Sequence, residues 1–255
     1  MEQQQNYFVH QTAAKRYTQY RPYFHPLVIE KMRDFLQLKS RVRGALDVGC
    51  GTGQSALALL AVADTVQAID TSAEMLARAI PDPRICYQQS TAEEMPFANA
   101  SFDLITVSLA FHWFDRPRFL AGASRVLRPQ GWLVIYNNGF CGSMVENDEF
   151  AKWSNDVYLQ RYPTPSRRGA LLTGNEVAPH GLSFVHQENY DNQVPFTKEI
   201  LAGYLMTQSN VIAAAEQGQE TVEGVYQWLL YELSPLLGDD AGTFDFSGYI
   251  WYVQS

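Results

Sequence analysis

Two carboxylates and three glycines stand at spacings that suit a small ligand: Asp47, then Gly49, Gly51 and Gly53 in LDVGCGTG, and Asp70 closing VQAID. Glycines let the backbone approach a ligand closely, and the N–H groups that open a following helix face it. A carboxylate at the end of the next strand can accept hydrogen bonds from a ribose diol. The chemistry asked for is recognition of a nucleoside. The pattern is G-x-G-x-G, whereas the dinucleotide fingerprint needs its third glycine where Gln54 stands. An anion at Asp47 also suits an ammonium group better than a pyrophosphate.

Holding these groups takes a strand over 45–48, a helix over the Ala/Leu-rich stretch that follows, and a second strand over 66–69. Further candidates stand where later strands should end. Ser101 to Ser108 reads as a buried strand whose carboxyl end, at Ser108, faces a ligand crevice, and His112 and Trp113 follow it. A histidine beside aromatics is more often packed than catalytic, but this position makes His112 the candidate base. Trp113 reads as a pocket wall or as a cover over apolar side chains. Asn137 and Asn138 emerge after a strand over 132–136 and either bind a substrate carboxylate or carbonyl or satisfy loop backbone. Arg161, Arg167 and Arg168 offer guanidinium groups to an anionic substrate, or are solvated surface.

The other elements follow from periodicity and capping. A helix is expected over 27–38; Thr71 caps another, with Glu74 at capping-box spacing; a strand covers 84–89. Asp115 caps a helix running to Leu127, stopped by the turn Arg128-Pro129-Gln130-Gly131. A helix over 145–162 and a polar, basic loop over 163–174 follow. A strand over 184–194, helices over 198–217 and 221–233, and a strand over 243–253 complete the chain.

The chain has 255 residues, 46% of them apolar, which fits one α/β domain with an elaboration. Its 27 acidic against 19 basic residues give a formal charge of −8, with no basic cluster of the kind that tracks phosphates, so nucleic acid is not the expected substrate. Three scattered cysteines suggest neither a disulfide framework nor a metal site. The longest apolar run, over 56–63, is far below the roughly 18 residues of a membrane span. The N-terminus lacks the pattern of a secretory signal, and a cytoplasmic location is expected.

Taken together, LDVGCGTG, Asp70, the strand over 101–108 and LRPQGWLVIY resemble class I S-adenosylmethionine-dependent methyltransferases; Gln130 stands where that family has a glycine. The leader RYTQYRPY and the His112-Trp113 pair sharpen the resemblance toward the trans-aconitate methyltransferase-like group of small-molecule enzymes. The resemblance implies a Rossmann-like, doubly wound α/β sheet of seven strands in the order 3-2-1-4-5-7-6, the last antiparallel. It implies a single domain over 1–255, with a helical flap (1–40), a cofactor-binding core (41–138), a lid insertion (139–181) and a C-terminal part of the sheet (182–255). For S-adenosylmethionine it implies Asp47, Gly49, Gly51 and Gly53 around the methionyl part, Asp70 on the ribose, and Met75, Ala92 and Glu93 near adenine. Thr71 and Ser108 line the same site, and Tyr20 and Arg21 close over it. The implied reaction is methyl transfer to a small-molecule oxygen nucleophile, with His112 as base, Trp113, Asn137 and Asn138 on the acceptor, and no metal. The alternatives are a cofactor-binding regulator without turnover and a nicotinamide oxidoreductase.

Overall fold

A computed structural model describes residues 11–164, 171–216, 220–237 and 241–255. Eight strands form one sheet: β1 (Val42–Val48), β2 (Ala63–Asp70), β3 (Ile85–Gln89), β4 (Phe102–Ser108), β5 (Leu127–Tyr136), β6 (Gly139–Met144), β7 (Ser183–Phe196) and β8 (Gly242–Gln254). Their order is β3-β2-β1-β4-β5-β8-β6, with β7 also paired to β8. The first five run parallel to their neighbours, and β8 is antiparallel to both β5 and β6. This is the doubly wound α/β sheet that the sequence implies, with one strand more. β6 escapes a sequence reading because GFCGSM carries no apolar alternation; its place is set by pairing Phe140 with Phe246.

The residues gather into two compact units. One holds the described residues within Tyr23–Asn137, Arg167–Asn189 and Gly248–Ser255. Here β4 is buried almost throughout and β1 from Ala45 to Val48, because a parallel sheet is covered on both faces. The helices α2 (His25–Phe35), α3 (Gln54–Leu59), α4 (Ala73–Leu76) and α5 (Arg116–Val126) belong to this unit. Phe119, Leu120, Ala123 and Val126 of α5 join Ile105, Val107, Leu133 and Ile135 in its core. Asp115 caps α5 as expected, its side chain accepting from the Arg118 N–H.

The other unit holds the described residues within Met1–Pro22, Asn138–Ser166 and Tyr190–Ser247. It contains α1 (Gln11–Tyr20), α6 (Glu149–Trp153), α7 (Leu159–Arg161), α9 (Lys198–Leu205), α10 (Ser209–Glu216) and α11 (Val222–Leu237); the short α8 (Gly174–Val177) lies in the first unit. Its core is a cluster of rings in which Phe140, Phe150, Phe196, Tyr204, Phe244 and Phe246 meet at centroid distances of 5.0–6.2 Å. Among the described residues no helix is long and apolar enough to cross a membrane.

Several boundaries differ from expectation for local reasons. Ser72, not Thr71, caps α4, its hydroxyl accepting from the Met75 N–H; Thr71 and Ser72 are both capping residue types, and the extended backbone of Ser72 decides between them. The helix expected over 145–162 is broken: a turn over 145–148 delays its start, and Ser154–Tyr158 winds as a π-helical turn between α6 and α7. The helix expected over 198–217 breaks between α9 and α10, where the Thr207 hydroxyl donates to the Tyr204 carbonyl. The expected turn after Leu127 lies inside β5, marked by a φ of 64° at Gln130 and a register shift against β4.

Candidate active site

The loop between β1 and α3 carries the glycines in left-handed backbone conformations, with φ of 74° at Gly49, 53° at Gly51 and 80° at Gly53. Only glycine adopts these angles freely. A Cβ on Gly49 would lie 2.6 Å from that of Ala110, and one on Gly53 would collide with the Tyr87 hydroxyl. Asp70 fixes the loop from the end of β2: one carboxylate oxygen accepts from the Gly51 N–H at 2.8 Å, the other from the Ser72 N–H at 2.9 Å. The Thr71 N–H is a third donor, and the carboxylate, with about four acceptor positions, keeps capacity for a further one. Burial raises the Asp70 carboxyl, opposed by these backbone N–H groups.

Asp47 has no exposed surface, and its two oxygens accept from the Ser55 and Thr106 hydroxyls. Burial pushes its carboxyl up to about 6; the two hydroxyls oppose that shift, and the Asp70 charge adds to it. Its charge therefore acts on a nearby cation through the field rather than by exposed contact.

Among the described residues of this unit, two hydroxyls are buried without a protein partner: Thr52 in the glycine loop and Ser108 at the carboxyl end of β4. Buried polar atoms are normally paired, so both atoms are open to a ligand. Met75 and Ala92 are buried, and the Met75 methyl would lie 3.1 Å from a Cβ on Gly51. Glu93 is engaged locally, its carboxylate accepting from the Asp115 N–H at 2.8 Å. Thr71 is exposed, and its carbonyl accepts from Gln89.

His112 and Trp113 sit in a single 3-10 turn, Phe111–Trp113, just beyond β4, with ring centroids 4.6 Å apart. Asn137 is tied to β8, its N–H donating to the Tyr249 carbonyl and its side-chain oxygen accepting from the Tyr249 N–H. In the other unit, Asn138 is buried with both amide atoms unpartnered. There too, Tyr20 packs its ring against Gly203. Arg21 donates to the Thr207 carbonyl at 2.8 Å and lies over the rings of Tyr17 and Tyr204. Arg161 pairs with Glu220 and stacks on Trp228, while Arg167 and Arg168 lie outside the described residues. No cluster of three or more metal-ligating side chains occurs among the described residues.

Sequence reasoning missed Ser55 and Thr106, which hold Asp47, the Thr52 hydroxyl, and Tyr87, which abuts Gly53. A threonine inside the otherwise apolar run of β4 is a readable signal for Thr106. Thr52 stood within the quoted motif, masked by its glycines.

This loop, the strand order and the acid ending β2 give a Rossmann-like, doubly wound sheet that is shared with solved structures described as methyltransferases. Residues 46–135 match the family described as a methyltransferase domain. An uncharacterized methyltransferase of Mycobacterium bovis is 36% identical over 129 residues, 50% of this chain and 51% of that protein. A malonyl-[acyl-carrier protein] O-methyltransferase of Erwinia billingiae is 41% identical over 92 residues, 35% of this chain and 37% of that protein. The matched region spans about half the length of the first curated relatives. A solved structure from Anaeromyxobacter dehalogenans, described as a "putative type II methyltransferase", superposes with a TM-score of 0.68 at 25% identity, covering 87% of this chain and 94% of its own.

Proposed function

We propose that this chain binds S-adenosylmethionine on the loop between β1 and α3 and passes its methyl group to a small-molecule oxygen nucleophile. The observation that carries this reading is the left-handed glycine loop with the unpartnered Thr52 and Ser108 hydroxyls in the same unit. Gly49, Gly51 and Gly53 leave room for the methionyl part, and Asp70 has lone pairs for the ribose hydroxyls. Met75 and Ala92 offer apolar surface to adenine, with Glu93 and Thr71 flanking it. Asp47 attracts the ammonium group through its charge.

The sulfonium supplies an electrophilic methyl group. The protein's task is to hold the acceptor oxygen in line and keep water away. A carboxylate acceptor needs no base, whereas a hydroxyl does; the reading assigns that role to His112, with Trp113 and Asn137 as candidate acceptor contacts. The O-methyltransferase names among the relatives favour oxygen over other acceptor atoms.

Calorimetry tests the cofactor: saturable S-adenosylmethionine binding is expected, weakened at least tenfold in Asp70→Ala, and no binding sinks the reading. Label transfer from tritiated donor to a panel of carboxylates and phenols tests the acceptor atom. For a hydroxyl acceptor, His112→Gln should remove the limb of the profile that rises with pH. An unchanged profile returns His112 to packing.

A further inference from the structure

Asp47 is enclosed on every side, and no ion pair with it occurs among the described residues. Its two oxygens are held by neutral hydroxyls, Ser55 from α3 and Thr106 from β4, which soften the loss of water without supplying positive charge. The titratable groups nearest to it bring no cation either. Asp70 at the end of β2 adds a second negative charge, while Cys50 in the loop and Tyr87 on β3 are held protonated by burial and by neighbouring charge that includes Asp47. α3 carries no titratable side chain, Asp103 is paired with Arg128 at the other end of β4, and Arg41, Arg43 and Asp64 lie exposed at the starts of β1 and β2. A buried carboxylate in that setting lowers its cost by taking up a proton, and an incoming cation reverses the choice.

Asp47 pairs in register with Thr106, so Ser108, two residues further along β4, turns its side chain to the same face of the sheet, roughly 7 Å on. The open hydroxyls of Ser108 and of Thr52 in the loop are 8% and 1% exposed by residue, so the acid stands one side-chain step from atoms that await a ligand. We propose that Asp47 is a proton-exchange group for the glycine loop: protonated while the loop is empty in mild acid, ionised once a ligand bearing an ammonium group occupies it, each binding event releasing one proton to solvent. The carboxyl O–H bond breaks, its electron pair stays on the carboxylate, and the ammonium balances the charge that emerges. This inference rests on the proposed S-adenosylmethionine site and adds a discrimination to it. Ligands with the cationic tail gain affinity as pH rises, and neutral nucleosides do not.

Calorimetry on the full-length protein tests it with two probes: S-adenosylhomocysteine, which carries the ammonium group, and methylthioadenosine, the same adenosine and sulfur without the amino-acid tail. Burial pushes the Asp47 carboxyl up to about 6, so S-adenosylhomocysteine affinity is expected to climb about tenfold from pH 5 to pH 7, a range in which an α-ammonium stays charged, while methylthioadenosine affinity holds within about twofold. Repeated at pH 6 in buffers of different ionisation enthalpy, S-adenosylhomocysteine binding should release about half a proton per site. Asp47→Asn is expected to give a flat profile that meets that of the unsubstituted protein near pH 5; both proteins keep His25, so acid destabilisation from that residue cancels. Ser55→Ala, which retains the acid and removes a hydroxyl favouring its charged form, should move the midpoint up by about one pH unit. A level S-adenosylhomocysteine profile, an equal climb for methylthioadenosine, no proton release at pH 6 or a climb that survives Asp47→Asn would overturn the proposal and leave the cofactor reading standing. Binding of neither probe nor S-adenosylmethionine at any pH would sink that reading, and this inference with it.

Discussion

The stretch from Asp47 to Asp70 and the ring cluster around Phe244 are both buried, yet they are built from opposite materials. The first uses backbone: three glycines with positive φ, two carboxylates with no ion pair among the described residues, and small hydroxyls. The second uses side-chain bulk, with Phe140, Phe150, Phe196 and Tyr204 tilted or edge-on around Phe244 and Phe246. Backbone geometry dictates residue types one position at a time. Ring packing accepts many combinations of similar volume, and so says little about what it serves. A ligand reading is therefore specific in the first region and confined to single polar groups in the second.

Substitutions can break this contrast, and the largest effect is expected in the rings. Phe244→Ala should cost about 3–5 kcal/mol in denaturant melts, the usual penalty for emptying a packed aromatic site, without weakening S-adenosylmethionine binding in the protein that remains folded. Equal loss of both would erase the distinction between scaffold and site.

Titration separates the regions next. His25 begins α2 fully enclosed in the first unit, its Nδ1 3.1 Å from the Tyr136 hydroxyl, and burial lowers it to about 3. Its folded value lies below the ordinary value of 6.5, so the stability it guards is present above pH 6.5 and lost as pH falls toward 3. The loss is on the order of 4 kcal/mol, and His25→Gln should flatten this part of a pH–stability curve. In the ring cluster the buried Tyr158 phenol is raised above its ordinary value, stays neutral at every physiological pH, and adds no slope there.

Gly53→Ala comes third and acts on binding. The new methyl meets the Tyr87 hydroxyl at a backbone angle that alanine resists, so S-adenosylmethionine affinity should fall about 100-fold by calorimetry.

Asp47 gives the smallest effect and the opposite sign to His25. Its raised carboxyl contributes full stability below pH 3.8 and loses it as pH climbs through about 6. Asp47→Asn should therefore be more stable than the unsubstituted protein at pH 7.5 by on the order of 2–3 kcal/mol, equally stable near pH 3, and about tenfold weaker in cofactor affinity. A gain in stability with unchanged affinity would remove Asp47 from the cofactor's surroundings.

The same contrast explains what the amino-acid order reveals. The strands, the glycine loop and Asp70 were readable because each imposes a residue type at a fixed spacing. The cap at Ser72 was not, since Thr71 beside it offers the same hydroxyl and only the backbone angles choose. β6 carries no alternation and depends on Phe246 far along the chain. The partners of Asp47 were equally hidden: Ser55 is close in sequence, but Thr106 arrives only when β4 lies beside β1. Asn137 and Asn138 look alike as letters, and tertiary hydrogen bonding alone divides their tasks.

The Tyr87 hydroxyl donates to the Ile80 carbonyl at 2.8 Å, and the Ile80 N–H in turn donates to the Thr52 carbonyl at 3.1 Å. The phenol that denies position 53 a side chain is thus also the far post of a short strut holding that loop in place. Whoever redesigns this chain for a bulkier or altered donor molecule must change edge strand and loop as one, because enlarging position 53 requires trimming position 87, and trimming it releases the brace.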